Sequence, residues 1–407
     1  MPDLHITDHT KDRYHALAIS SVWELARIRQ ARALVIGAGA LGNEVAKSLA
    51  MMGLRTVAVL DRDTVEVANL TRSVFFREED HGRSKAEVLG MRLRELNPDV
   101  GILAIHGDLD EVLGLGLLRR MDIVFSCLDS RAARRSVNRM CQKVGRSWVD
   151  GAMENLLGEV AVYVPDEGAC YECTLTQTEQ QLIADAVSCR GIALRNIALG
   201  KVPTTSTMGS IIAGLQVQEG IKLLQGDSEN ALAGKRLVVN CNVNDFYITQ
   251  SDRKEDCHGH FRYGKVTELR EFATEKTSPR EILKHFKQET GEAEGFLQLG
   301  REIVVELKCT RCGTSELSGE PMGAVDEDRE RCAQCGEIRK LETTHSVSGD
   351  EPYAEWPLSR LGIPKLDVLE VQGSQTTLWY EMTGDLDSFP ELLQKELSTD
   401  TIAVNVA

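Results

Sequence analysis

The chain has 407 residues, 42% hydrophobic and 27% charged, an ordinary composition for a soluble protein with length enough for two or three domains. Its 62 acidic against 47 basic residues leave a net charge of −15, which argues against a general nucleic-acid surface but not against a nucleotide, whose phosphates need only a local positive cluster. The opening MPDLHITDHTKDRY is polar without an apolar signal core, and no apolar run approaches the roughly 18 residues that span a bilayer, so a cytoplasmic protein with no membrane partner is expected.

In chain order, RALVIGAGALG (32–42) reads as a short buried strand entering a tight turn, and Asn43 to Met52 as a small-residue helix. RTVAVLD, ending at Asp61, is a second buried strand. A helix from about Ser84 to Leu96 follows, then a strand at GILAI and another at DIVFSCLD. RAARRSVNRMCQKV is helical, and RSWVDG is a short strand. Strands alternating with helices predict a doubly wound, mainly parallel sheet covered on both faces. LGEVAVYV (157–164) alternates, as an antiparallel extension would, and about 174–205 reads as a crossover loop of weak pattern. STMGSIIAGLQVQEGIKLLQ then forms one long helix with a Ser/Thr start, and KRLVVNCNVNDFYITQ a closing hairpin. Beyond residue 264 the texture changes to short strands and one helix, SPREILKHFKQETG. The expected division is therefore 1–263, an α/β unit, and 264–407, a small α+β unit.

The chemistry begins at the turn. Gly37, Gly39 and Gly42 in GAGALG follow a strand and open a helix, which allows close backbone approach to phosphate at a helix N-terminus, while Asp61 at the next strand end suits a ribose hydroxyl. That motif alone fits an NAD(P)-dependent oxidoreductase equally well. DRDTVEVANLTRSVFF and HGRSKAE then supply Asp63, Asn69, Arg72 and Lys85, and Asp129 ends the CLD strand. Arginine and lysine can neutralise a triphosphate and Asp129 can hold Mg²⁺; a nicotinamide site has no need of that set.

The ordered run GAGALG, DRDTVEVANLTRSVFF, GRSKAE and CLDS resembles the ubiquitin-activating-enzyme-like adenylyltransferases, the ThiF, MoeB and HesA types, over about residues 10–260. The resemblance implies ATP and Mg²⁺ as cofactors and adenylation of the C-terminal glycine of a ubiquitin-fold protein. By position, it puts Gly39 and Gly42 beside the phosphates and Asp61 on the ribose. Asn69, Arg72 and Lys85 then contact phosphate groups, and Asp129 serves the metal or reacting phosphate. It also implies a homodimer in which an N-terminal arginine reaches the partner subunit's ATP site. Two departures stand out. The family's Asn-Leu-Asn-Arg-Gln reads Asn-Leu-Thr-Arg-Ser here, and its two arginines around a tyrosine reduce to Arg13 before Tyr14, leaving Arg13 as the one that could serve.

Eleven cysteines in a cytosolic chain point to metal or thiol chemistry rather than disulfides. Cys170-x-x-Cys173 matches the family's first metal pair, and Cys257-x-x-His260 would complete a tetrahedral Cys3His site. Cys309, Cys312, Cys332 and Cys335 form two CxxC knuckles, read as a zinc ribbon over 309–335, so two structural Zn²⁺ sites are expected. Cys127, Cys141 and Cys241 read as packing residues. Cys189, in SCRGIALRN, resembles the catalytic thiol of the shorter activating enzymes, with Arg190 and Arg195 favouring its thiolate. The favoured reading is an activating enzyme, of the kind that serves a bacterial ubiquitin-like conjugation system, handing its carrier through Cys189 to a conjugating enzyme. A sulfur-carrier adenylyltransferase, an NAD(P)-dependent oxidoreductase and a non-catalytic zinc scaffold are the alternatives.

Overall fold

The computed structural model describes residues 12–187, 204–322, 325 and 327–390. Its larger sheet forms where the sequence carries short runs of β-branched and aliphatic residues. The first half runs β1 (Arg32–Ile36), α1 (Ala40–Met52), β2 (Thr56–Asp61), α2 (Lys85–Leu96), β3 (Gly101–His106), α3 (Leu115–Arg119), β4 (Ile123–Ser126), α4 (Arg131–Val144), β5 (Trp148–Glu154) and β6 (Leu157–Tyr163). Then come α5 (Gln177–Val187), α6 (Ser206–Gln225), β7 (Lys235–Asn240) and β8 (Asp245–Gln250). Spatially the order is β3-β2-β1-β4-β5-β6-β7-β8. The first five are parallel and the last three extend the sheet antiparallel.

Successive residues of a strand face opposite sides, so β1 feeds two cores. Ala33 and Val35 join α1, α2 and α6 on one face; Leu34 and Ile36 join α3, α4 and Ile183 of α5 on the other. Covering both faces lets the central strands be apolar throughout, as parallel sheets require. Serine or threonine caps α2, α4 and α6, where Ser84, Ser130 and Thr205 accept from the Glu87, Ala133 and Met208 amides. Left-handed glycines at 53, 145 and 226 end α1, α4 and α6, the usual stop because a Cβ would strain that conformation.

Two expectations need correction. The stretch from Thr174 is not patternless: residues 177–187 are helical. The Thr176 amide and hydroxyl donate to Glu179 Oε2, both at 2.9 Å, and the Glu179 amide returns to Thr176 Oγ1 at 3.2 Å. This reciprocal cap starts a helix whose surface is polar. The helix expected from Asn43 begins at Ala40, because the tight glycine turn leaves no spacer between strand and helix.

A second sheet runs β11-β10-β13-β14-β9, with β12 on the other edge of β10. Its strands are β9 (Val266–Glu268), β10 (Gly295–Lys308), β11 (Ser315–Pro321), β12 (Lys340–Val347), β13 (Val368–Gly373) and β14 (Thr377–Glu381), and α7 (Pro279–Thr290) packs on it. This unit shares a core with the first: Leu366 and Val368 lie in the same apolar cluster as α3 and α4. The contact is closest at α3. Gly114 and Gly116 have no room for a side chain, since a Cβ there would sit 2.2 Å from the Lys365 carbonyl oxygen and 2.4 Å from that of Leu366. The Leu115 amide donates to Asp367 Oδ1 at 2.9 Å and the Gly116 amide to the Leu366 carbonyl at 2.8 Å. Arg119 and Arg120 both pair with Glu381, which is fully buried.

Removing Glu381 would leave Arg120, itself 3% exposed, as an uncompensated buried charge. Glu381→Ala is therefore expected to lower unfolding stability by about 3–5 kcal/mol, read as a reduced urea midpoint; an unchanged midpoint would contradict this account of the joint.

Candidate functional site

Parallel strands β1 and β4 are neighbours, with the chain reversing order between them, and their carboxyl ends open the crevice where open α/β sheets bind ligands. The turn after β1 is built on three glycines with different jobs. Gly37 has φ +97° and would place a Cβ 2.5 Å from the Cys127 carbonyl oxygen. Gly42 would place one 1.8 Å from the Gly37 carbonyl oxygen. Both are required by backbone approach. Gly39 is different: a Cβ there meets no atom within 4 Å, and as N-cap it offers no side-chain cap to α1. The first amides of a 13-residue helix thus face open space, the arrangement that receives phosphate.

Asn43, absent from the sequence-based site, shapes this turn. It is fully buried, donates to the Ala38 and Gly39 carbonyls at 2.8 and 3.1 Å, and accepts from the Phe75 amide at 3.1 Å. The turn's carbonyls are thereby held and the segment carrying Arg72 is drawn over the helix start.

Asp61 accepts from the Ala38 amide at 2.6 Å and the Asp63 amide at 2.7 Å; each carboxylate oxygen keeps a further lone pair for a ligand hydroxyl. Burial pushes its pKa up, against the pull of those amides and of Lys85. Lys85 is nearly buried and its ammonium lies 2.8 Å from Asp63 Oδ2, so Asp63 aims the lysine. Asn69 is buried and uses its carbonyl to accept from the Glu66 amide at 2.9 Å, leaving its NH₂ as the group it can offer. Arg72 donates to the Ala68 carbonyl at 2.7 Å and pairs with no carboxylate among the described residues. Asp129 is exposed and makes no hydrogen bond or ion pair among them. An unpaired carboxylate at the strand edge suits Mg²⁺, which takes one or two carboxylates and completes its shell with water and substrate phosphate.

Not every candidate converges here. Arg13 donates to Asn97 Oδ1 and, at 3.4 Å, to the Leu96 carbonyl. That is the C-terminal end of α2, at the amino ends of the strands, opposite the carboxyl ends that carry the glycine turn. Cys189, with Arg190 and Arg195, lies outside the described residues. Desolvation raises the thiol pKa of Cys141, which is fully buried, and of Cys127, which is partly buried, and so disfavours the thiolate that a nucleophile needs.

The cysteine sets do converge. Cys170, Cys173, Cys257 and His260 place their ligand atoms within 4.8 Å of one another, as do Cys309, Cys312, Cys332 and Cys335. Sulfur separations are 3.7 Å for Cys170 to Cys173 and to Cys257, and 3.5 Å for Cys309–Cys335 and Cys312–Cys332. A tetrahedron of zinc–sulfur bonds of about 2.3 Å has edges of about 3.8 Å, so both donor sets fit. Burial, then Arg253, lowers the His260 pKa, keeping the imidazole neutral as a ligand must be. The later set is two copies of one turn. Gly313 and Gly336, with φ +76° and +71°, donate to the Cys309 and Cys332 carbonyls at 3.0 and 2.8 Å.

Glu172, between the first two cysteines, ties its metal turn to α4. It accepts from Arg139 at 2.8 and 2.9 Å, Arg135 at 3.2 Å and Asn138 at 3.4 Å. Burial alone would raise its pKa; the arginines carry it below the ordinary carboxylate value.

The ThiF family profile matches residues 12–259. Among curated proteins, the chain is 36% identical over 155 residues to the SUMO-activating enzyme subunit uba-2 of Caenorhabditis elegans, covering 38% of this chain and 27% of that protein. It is 29% identical over 273 residues to ubiquitin-like modifier-activating enzyme 5 of Dictyostelium discoideum, covering 63% and 68%. The chain thus spans from about a quarter to two thirds of the length of these relatives. Among solved structures, E. coli MccB with MccA superposes with a TM-score of 0.50 at 23% identity, over 61% of this chain and 74% of that one, a likeness of fold.

The glycines separate by substitution. Gly42→Ala forces backbone apart and is expected to cost about 3 kcal/mol, whereas Gly39→Ala meets no neighbouring atom and loses only the N-cap preference for glycine over alanine, about 1 kcal/mol or less. Chemical denaturation of the two variants decides it, and equal losses would mean the turn is not as described.

Proposed function

The chain belongs to the ThiF family, and from that membership we propose that it adenylates the C-terminal carboxylate of a ubiquitin-like protein with ATP. The observation carrying this reading is the uncapped start of α1 at Gly39, flanked by the unpaired Arg72 and the exposed Asp129. In the proposed reaction the α1 amides, Asn69, Arg72 and Lys85 hold the phosphates while Asp61 accepts from the ribose. A carboxylate oxygen of the carrier attacks the α-phosphorus, its bond to the bridging oxygen breaks, and pyrophosphate leaves. The nucleophile is already ionised, so no general base is needed; the site contributes position and charge. Mg²⁺ on Asp129 would offset phosphate charge.

Further parts of the proposal rest on the resemblance. Cys189 takes the acyl group as a thioester, displacing AMP, before transfer to a conjugating enzyme; a sulfur-carrier pathway would stop at the adenylate or use the cysteine for sulfur. The chain acts as a homodimer in which Arg13 serves the partner's ATP site. The two cysteine sets hold structural zinc, and residues 264–407, with a zinc ribbon at 309–335, form a protein-docking module. Four protein ligands close each tetrahedron, so neither zinc is catalytic.

ATP–pyrophosphate exchange with a genomically neighbouring ubiquitin-fold protein tests adenylation. Arg72→Ala and Asp129→Asn are each expected to lower exchange about 100-fold, as loss of one preorganised charge does, while Cys189→Ala keeps exchange but loses a thiol-sensitive carrier conjugate. Full exchange in both charge variants would sink the assignment of the site. Metal analysis of the purified chain should find two zinc ions, matching the two donor sets, and loss of the 309–335 metal on Cys332→Ser should leave the other bound.

A further inference from the structure

Asp129 stands three residues past Ser126, where β4 ends. Pairing of β4 with β5 ends at Ser126 and Asp150, so the next peptide units leave the sheet with carbonyls that need other partners. Two buried side chains, from helices on opposite faces, supply them. From α4, Arg134 donates through Nη2 to the Leu128 carbonyl at 2.6 Å and to the Gly151 carbonyl at 3.3 Å. Its Nε lies 3.0 Å from Asp150 Oδ1 and 2.9 Å from Oδ2, and Ser126 Oγ donates to the same carboxylate at 2.7 Å. From α6, Gln216 donates through Nε2 to the Ser126 and Val149 carbonyls, each at 2.9 Å. Its oxygen faces Cys127 Sγ at 3.9 Å and fills the space that a Cβ on Gly151 would need, at 2.4 Å. Arg134 is 9% exposed and Gln216 fully buried.

We propose that Arg134 and Gln216 are positioning residues that together aim Asp129 into the nucleotide crevice. This rests on the adenylation reading above. The Leu128 carbonyl belongs to the peptide unit that carries the Asp129 amide, so the Arg134 bond fixes the plane from which Asp129 projects. Gln216 fixes the strand end three residues earlier, from the other side of the sheet. Between them the four residues Ser126–Asp129 are gripped at both ends, while the Asp129 side chain stays in solvent. An arginine is suited to this because its planar fork reaches two carbonyls and a carboxylate at once, which lysine cannot do.

The test is ATP binding to the full-length protein by titration calorimetry, with Mg²⁺ or with EDTA, needing no carrier. In the wild type Mg²⁺ should tighten ATP binding, and Asp129→Asn should abolish that gain. Arg134→Lys and Gln216→Leu should each reduce the Mg²⁺-dependent gain about tenfold, the loss typical when a partner behind a metal ligand is removed. Affinity in EDTA should stay within about twofold, with cooperative unfolding retained. Combining Arg134→Lys with Asp129→Asn should lose no more than Asp129→Asn alone, since both act through one carboxylate. A folded variant with the full Mg²⁺ gain, or losses that multiply in the double variant, would overturn the positioning role. Should Arg134→Lys not fold, Gln216→Leu decides by the same readout. A wild type that binds no ATP, or an Asp129→Asn variant that keeps the gain, would instead overturn the adenylation reading itself.

Discussion

The site depends on one close approach, that of the Gly37 backbone to the carbonyl of Cys127. Strands β1 and β4 run parallel and must part at their carboxyl ends to make a crevice. With φ +97° at Gly37 and the Cys127 oxygen 2.5 Å from where a Cβ would stand, the turn can fold back at once into α1. The Gly37 carbonyl is in turn covered by Gly42, on the first turn of the helix. Because no spacer intervenes, α1 opens directly at the strand ends, with Asp61 at the end of β2, Lys85 at the start of α2, and Arg72 and Asp129 on the segments that follow β2 and β4.

Those loops are held by buried polar side chains rather than by sheet pairing. Asn43 fixes the turn and the Phe75 amide, Arg134 and Gln216 fix the exit of β4, and Glu172 fixes the first cysteine turn against α4. Each spends its hydrogen bonds on main chain or on a neighbouring charge. In a low-dielectric surrounding, leaving such a group unmatched is costly, so the arrangement is sharply specified. Helix α4 gathers several of these bonds, from Arg134, Arg135, Asn138 and Arg139, and thereby connects the crevice to the first metal set. The second sheet is attached at α3, through the core shared with Leu366 and the pairing of buried Glu381 with Arg119 and Arg120.

Much of this was legible in the sequence because the signals are local. The Gly37–Gly42 turn, the strand ending in Asp61, the helix over 131–144 and the hairpin around Asn244 follow from period, capping and turn chemistry that operate within a few residues. The convergence of both cysteine sets was readable from CxxC and CxxH spacing, which a short turn converts into donor atoms within 4.8 Å of one another. The helix at 177–187 was missed although its signal was present: Thr176-x-x-Glu179 is a capping box, masked by the polar surface of the helix that follows. The charge pattern grouped Asp63 with the candidate site residues, and in the fold its carboxylate lies 2.8 Å from the Lys85 ammonium.

The sequence by itself determined the order of elements, the glycine turn after β1 and the membership of each cysteine set, since each is encoded by residues whose geometry is fixed within a turn or a strand. Only the tertiary structure decided that Asn43, Arg134 and Gln216 hold the main chain around the turn and the end of β4, that Arg13 sits at the amino ends of the strands, and that the second sheet shares a core with the first. Those roles depend on which distant carbonyls are left without partners when strands part. A polar residue inside a helical pattern carries no mark of that. Burial supplies it, and burial exists only once the helices lie on the sheet.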